Sequence, residues 1–241
     1  MYSRENYESL NWKEIPYPNM VRIKTIPDGS CFFHALCNAF FIPYRTGKIT
    51  CDDGSEISIT QRQIVKGLRD DLAKKLASRI DANPESPRYY DVISRGQLGD
   101  FSMGVNHYSL ENMQKELQSD DPIDHIYNEF ISDLINKDIY LLDLEKEDVY
   151  VTGNDIDILY KNRESIVILS MPGHYELVGV RDNGTIKTLF KPDHEFIVMI
   201  YNRLKTHLPN SDLPNSDLPT SDLPVQDLPV QDLQTFDLEG S

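Results

Sequence analysis

Two short segments carry residue types that could perform acyl chemistry. In the first, Asp28-Gly29-Ser30 forms a turn that delivers Cys31 to the start of an apolar stretch, Cys31-Phe32-Phe33-His34-Ala35-Leu36-Cys37. If that stretch is a helix, its positive end favours the thiolate of Cys31 over the thiol. Unpaired N–H groups of the preceding turn would converge near the same sulfur, where they can hold an oxyanion as a carbonyl is attacked. One segment could thus supply both a nucleophile and an oxyanion hole.

A thiolate nucleophile also needs a base, usually a histidine held by a third group. The chain has six histidines: His34, His107, His125, His174, His194 and His207. His34 shares the helix of Cys31 and is poorly placed to swing toward the sulfur. His107 and His125 lie in polar stretches, and His207 adjoins a repeat. His174 sits at a tight turn, Pro172-Gly173, which starts an apolar run, Tyr175-Glu176-Leu177-Val178. Residues i and i+2 of a strand share a face, so Glu176 can lie beside His174 and orient its imidazole. A rival use of the first segment is metal binding by Cys31, His34 and Cys37, with Cys51 as a fourth ligand. Structural zinc draws its ligand pairs from turns, not from the length of one apolar helix, so no metal is expected.

The surrounding elements follow from hydrophobic period and turn chemistry. Residues 20–26 alternate apolar and basic and predict a strand, and residues 31–41, apolar almost all round, predict a buried helix. Residues 60–80 predict a long helix, with Thr60 and Gln63 as a capping box and Ile64, Leu68, Leu72, Leu76 and Ile80 as its buried stripe. Residues 81–108 are loop-rich, and 109–117 suit a short helix. Asp121-Pro122 reads as an N-cap and first-turn proline for a helix over 123–136. Strands are expected at 139–142, 165–171, 175–181, 185–190 and 196–201, with Asp182-Asn183-Gly184 as a hairpin turn. Helices precede a mostly antiparallel sheet, so the class is α+β.

Composition bounds the rest. The formal net charge of −15 argues against nucleic acid and against an anionic membrane surface as partners. No apolar run reaches the length of a membrane span, and residues 1–19 lack the apolar core of a secretory signal. Three cysteines without a CxxC pair fit a reducing, intracellular (cytoplasmic) setting better than a disulfide framework. From Leu208 the chain reads LPNSD LPNSD LPTSD LPVQD LPVQD LQTFD LEGS. Proline in most repeats prevents a continuous helix, and one Leu per repeat buries too little surface to offset ordering entropy. Residues 206–241 are therefore expected to be a disordered acidic tail. It is either a repeat without a binding role or a multivalent display for an unknown partner. The expected layout is an N-terminal extension at 1–17, a catalytic domain at 18–205 and this tail.

Taken together, the two segments resemble a known family. Asp28-Gly29-Ser30-Cys31-Phe32-Phe33 resembles the D-G-x-C-[LF]-F signature of ovarian-tumour (OTU) domain cysteine deubiquitinases. Gly173-His174-Tyr175-Glu176-Leu177-Val178 resembles their G-H-Y-x-x-[VL] signature. Ile139-Tyr140-Leu141-Leu142-Asp143 looks like the family strand upstream of that histidine. The resemblance is to a divergent member, of the kind a large DNA virus would carry. It implies an OTU-like fold, with Cys31 as nucleophile and His174 as general base and acid. It further implies an oxyanion hole from backbone amides around Asp28, Gly29, Ser30 and Cys31, with Asp28 counted among the active-site residues. The family places Asp or Asn two residues after the histidine; here Glu176 stands there, one methylene longer. The implied reaction is hydrolysis of isopeptide, peptide or thioester bonds at the C-terminal glycine of ubiquitin or a ubiquitin-like modifier, with no cofactor. The rival within the same resemblance is an OTU-like module that binds ubiquitin without cleaving it.

Overall fold

The computed structural model describes residues 6–51, 53–93, 108–123, 125–151 and 160–207. Their order follows the hydrophobic pattern closely. Strand β1 (Tyr7–Ser9) and β2 (Met20–Ile23) precede helix α1 (Cys31–Phe40) and the short α2 (Ile42–Thr46). A small hairpin, β3 (Lys48–Thr50) and β4 (Glu56–Ser58), leads to α3 (Gln61–Ala77). Then come α4 (Tyr89–Ile93), α5 (Leu110–Gln118), a 3₁₀ turn (His125–Tyr127) and α6 (Asn128–Ile135). The chain continues with β5 (Asp138–Asp143), β6 (Asp148–Val149), β7 (Ser165–Met171), β8 (His174–Asp182), β9 (Thr185–Lys187) and α7 (Glu195–Thr206).

The main sheet has the strand order β1-β2-β8-β7-β5-β6, with β9 also paired to β8. Only β5 and β7 run parallel; the other pairs are antiparallel. The expected α+β class with a mostly antiparallel sheet is the class observed. Period-two alternation divides the sheet between two cores. Ile23, Ile166, Ile168 and Leu177 face α1, α3 and α6, whereas Met20, Val167, Leu169 and Val178 face α7. Strand β8 therefore lies mid-sheet, with its first residue, His174, at one end and α1 packed beside it.

Five sequence expectations change. The apolar run 196–201, expected as a strand, lies in α7. Phe196, Ile197, Ile200 and Leu204 recur at helical spacing and are buried, and the His194 side chain caps the N-terminus by accepting from Phe196 N–H. Helix α3 keeps its Thr60–Gln63 capping box but ends at Ala77, before Ile80. There Ile80 N–H donates to Pro87 O and Tyr89 N–H to Ser78 O, so the chain turns back in a short ladder. Asp121-Pro122 does not open a helix: α6 starts at Asn128, because the 120–122 backbone is held against the cysteine turn. Finally, the segment assigned to an N-terminal extension supplies β1, and Leu10, Trp12 and Ile15 are buried in the core beneath α7. At the other end α7 runs to Thr206, and His207 pairs with Asp148, so the first two residues assigned to the tail are ordered. The repeat from Leu208 onward and residues 94–107, His107 among them, lie outside the described residues. No described helix is long and apolar enough to cross a membrane.

Candidate active site

Helix α1 is apolar on all sides, and nine of its ten residues are buried. Such a helix must be roofed by other elements, and this fixes its N-terminus in place. The Phe32 ring meets Tyr175 edge-on at 5.5 Å, which locks the start of α1 to the start of β8. Gly29, in the turn before the helix, lies against the loop after α5. A Cβ there would stand 1.9 Å from Asp120 O, so only glycine fits. Across the cleft Gly173 has φ of +71°, the left-handed conformation that turns β7 into β8 and points His174 inward. Gly29, Cys31, Phe32, Gly173, His174 and Tyr175, with Met171, Pro122 and Ile123, line one cleft of about 150 Å³. Two sequence-distant turns are thereby brought to one place.

Three of the four N–H groups of the 28–31 turn have partners close by in sequence. Asp28 N–H donates to Ile26 O and Cys31 N–H to Asp28 O. Ser30 N–H donates to the Asp28 carboxylate at 3.0 Å. Gly29 N–H has no partner among the described residues. Arg69, fully buried on α3, holds this turn from behind. It donates to Ser30 Oγ and to the carbonyls of Leu117, Glu116 and Asp121 at 2.8–2.9 Å, and it stacks over the Phe33 ring. Burial pushes the Cys31 thiol above its ordinary range, with Asp28 adding to the rise. The N–H groups of Tyr175, Phe32 and Cys31 itself favour the anion but are outweighed. At the sulfur, burial thus outweighs the N–H groups at the start of α1 that the sequence reading relied on to favour the thiolate.

His174 is partly open to solvent, 22% exposed at its side chain. Its Nε2 lies 3.4 Å from Thr25 Oγ1 and 3.9 Å from Glu176 Oε1. Thr25 donates its only hydroxyl proton to Tyr175 O at 2.6 Å, so toward His174 it can only accept. Nε2 then carries the imidazole proton, and the Nδ1 lone pair is left to receive another. Glu176 is brought beside His174 by the i, i+2 relation, as the sequence implied, but its contact is the longer one. It is buried, its Oε2 has no hydrogen-bond partner among the described residues, and Arg22 Nε stands 3.7 Å from that oxygen. Arg22 is itself anchored by Glu8 of β1, whose carboxyl is held down to about 2, chiefly by hydrogen bonds from Arg22 and Lys24.

Sequence reasoning missed Thr25 and Arg69. Arg69 had a readable signal: it follows Leu68 and sits four residues from both Val65 and Ala73, on the buried stripe of α3. Thr25 had none, because it lies just past β2 and acts only through the fold. Of the other cysteines, Cys37 is buried with its thiol pushed up to about 12 by burial, and Cys51 lies at the β3–β4 turn. His34 does not approach the metal geometry considered above; it bonds Tyr44 and Asp28.

No family model matches the chain, and no curated protein matches it. Among solved structures it is similar to an ovarian tumor (OTU) domain in complex with ubiquitin, at 14% identity over 86% of this chain and 93% of that one, with a TM-score of 0.47. It is also similar to the OTU domain protease of Farallon virus, at 14% identity over 72% and 99% of the two chains and a TM-score of 0.35. An OTU deubiquitinase from Wolbachia pipientis wMel bound to ubiquitin matches at 12% identity over 68% of this chain and 98% of that one, with a TM-score of 0.34.

Proposed function

We propose that this chain is a thiol-dependent hydrolase that cleaves acyl bonds at the C-terminal glycine of ubiquitin or a ubiquitin-like modifier. One observation carries the reading: Cys31 and His174, each delivered by a glycine turn from distant parts of the chain, line the same cleft. The resemblance of both turns to OTU signatures supplies the substrate class. The two glycines of such a substrate tail carry no side chains, which suits a cleft as narrow as this one.

Cys31 starts as a thiol. As its sulfur attacks the carbonyl carbon, its proton passes to His174 Nδ1, the nitrogen left basic by the Thr25 contact. The new C–S bond places negative charge on the carbonyl oxygen, which is received by the Gly29 N–H and the first N–H groups of α1, the Asp28, Ser30 and Cys31 amides being engaged within the turn. His174 Nδ1–H then protonates the leaving amine as the C–N bond breaks, giving a thioester. In the second half, His174 takes a proton from water, hydroxide attacks the thioester, and the thiol of Cys31 regains its proton. Glu176 and Thr25 orient the imidazole throughout, and no cofactor enters the scheme. Residues 81–108 and the exposed surface of the 123–136 segment, whose Ile123 lines the cleft, are assigned to contact the modifier.

The test is reaction of the purified protein with ubiquitin bearing a C-terminal electrophile, wild type beside Cys31→Ala. A stable adduct in wild type alone is the expected result. Absence of an adduct with ubiquitin and with ubiquitin-like probes would overturn the reading.

A further inference from the structure

His34 is an unusual residue for its place. It is completely buried on α1, one turn beyond Cys31, among Phe33, Leu36 and Cys37. A buried imidazole destabilises a core unless both ring nitrogens are satisfied, and here they are. Nδ1 lies 2.8 Å from the Tyr44 hydroxyl of α2, and Nε2 lies 3.3 Å from Asp28 Oδ2. The donors along this chain can be assigned. An ionised Asp28 only accepts, so Nε2 carries the proton; Nδ1 then accepts, and the Tyr44 hydroxyl donates. The other Asp28 oxygen accepts from Ser30 N–H at 3.0 Å, inside the turn that presents Cys31. Two cations of α3 also act on Asp28: Arg62, whose Nε reaches Oδ2 at 3.3 Å from the solvent side, and the buried Arg69.

We propose that His34, backed by Tyr44, is a positioning residue that holds the Asp28 carboxylate and through it the conformation of the 28–31 turn. The inference rests on the hydrolase reading above and extends it to a residue two steps removed from the reacting atoms. Burial holds His34 below its ordinary pKa, which favours the neutral form assigned here. A protonated ring would donate from Nδ1 as well, and the Tyr44 hydroxyl would turn to accept. A leucine would fill the same space without linking α2 to the turn. The arrangement therefore transmits the packing of α2 into the geometry of the turn amides.

The experiment compares wild type with Tyr44→Phe, His34→Leu and His34→Gln. Three readouts are taken: kcat and KM on ubiquitin carrying a C-terminal fluorogenic amide, the alkylation rate of Cys31 by iodoacetamide, and the Ser30 amide proton resonance. A turn held by this chain predicts kcat lowered about 10-fold to about 100-fold in His34→Leu and by less in Tyr44→Phe, with KM changed by no more than about twofold. His34→Gln, which keeps a donor toward Asp28, should recover part of the loss. Alkylation needs the thiolate but no oxyanion site, so it should stay near the wild-type rate. The Ser30 amide should move upfield and exchange faster in His34→Leu. Unchanged kcat, or kcat and alkylation falling in parallel with thermal stability, would overturn the proposal. A wild type that cleaves no ubiquitin substrate overturns the hydrolase reading instead, and the Ser30 resonance in the same variants then decides the positioning role by itself.

Discussion

On the cysteine side of the cleft, polar partners lie within the protein interior at 2.8–3.3 Å: Arg69 with Ser30 and three carbonyls, His34 with Tyr44 and Asp28. On the histidine side the contacts are longer, Thr25 at 3.4 Å and Glu176 at 3.9 Å, and the imidazole is partly open to solvent. The difference follows from chain geometry. Cys31, on the first turn of a buried helix, inherits the packing of that helix, whereas His174, the first residue of β8, stands at a strand end open to solvent. The cysteine half is thus preorganised by the fold, and the histidine half has room to tighten when substrate arrives. Substitutions on the first side should cost stability as well as rate; those on the second should cost rate alone.

The largest effects fall on the reacting groups and calibrate both sides. Cys31→Ala should abolish hydrolysis, because among the described residues no other thiol lines the cleft. His174→Ala should lower kcat by about 10³-fold or more, with a denaturation midpoint close to wild type. Single-turnover assays on a ubiquitin amide with urea melts of the same samples would measure both. A His174→Ala protein that melts much earlier would break the comparison at once.

Arg69→Met comes next and reads stability. The substitution keeps an unbranched side chain but leaves Ser30 Oγ and the carbonyls of Glu116, Leu117 and Asp121 without their buried donor. Loss of about 3 kcal/mol or more in unfolding free energy is expected. A loss below about 1 kcal/mol would mean that the turn is held by packing, chiefly Gly29 against Asp120, and not by Arg69.

Much of this was legible before the structure. Helix α3 declared itself through an i, i+4 stripe and a capping box, and burial of Ile64, Leu68, Leu72 and Leu76 contributes about 2 kcal/mol each. The β8–β9 hairpin followed from Asn183 and Gly184, both of which take positive φ. The run Phe196-Ile197-Val198-Met199-Ile200-Tyr201 was misread because six consecutive near-apolar residues carry no period. The deciding information lay outside the run, in the His194 cap and in Leu204 one turn beyond Ile200. In the site, Cys31, His174 and Glu176 were visible because side-chain type and local spacing are sequence properties. Thr25 and the His34–Asp28 contact were not, because hydrogen-bond direction depends on how separate elements are brought together.

A smaller effect is expected at the two residues beside the imidazole. Thr25→Val removes the acceptor that fixes the Nε2–H tautomer, and Glu176→Ala removes the nearby carboxylate. Each should lower kcat about 10-fold to 100-fold with little change in stability. Because both act on the same nitrogen, the double variant should lose less than the product of the single losses. Strict multiplicativity would assign them separate roles.

The pH response of Cys31 sharpens the comparison further, with the smallest change in rate. Burial raises the thiol pKa, so at neutral pH Cys31 holds less thiolate than a free cysteine would. Iodoacetamide reacts with the thiolate, so its rate with wild type should climb through the ordinary thiol range near 8.5 and continue above it. His174→Ala should follow nearly the same curve, because the imidazole accepts the proton only as the carbonyl is attacked. A preformed thiolate–imidazolium pair would instead give a plateau on the acid side of neutrality that vanishes in His174→Ala. That plateau would place the tightening of the histidine side before substrate binding, and the contrast between a rigid nucleophile and a loosely held base would be lost.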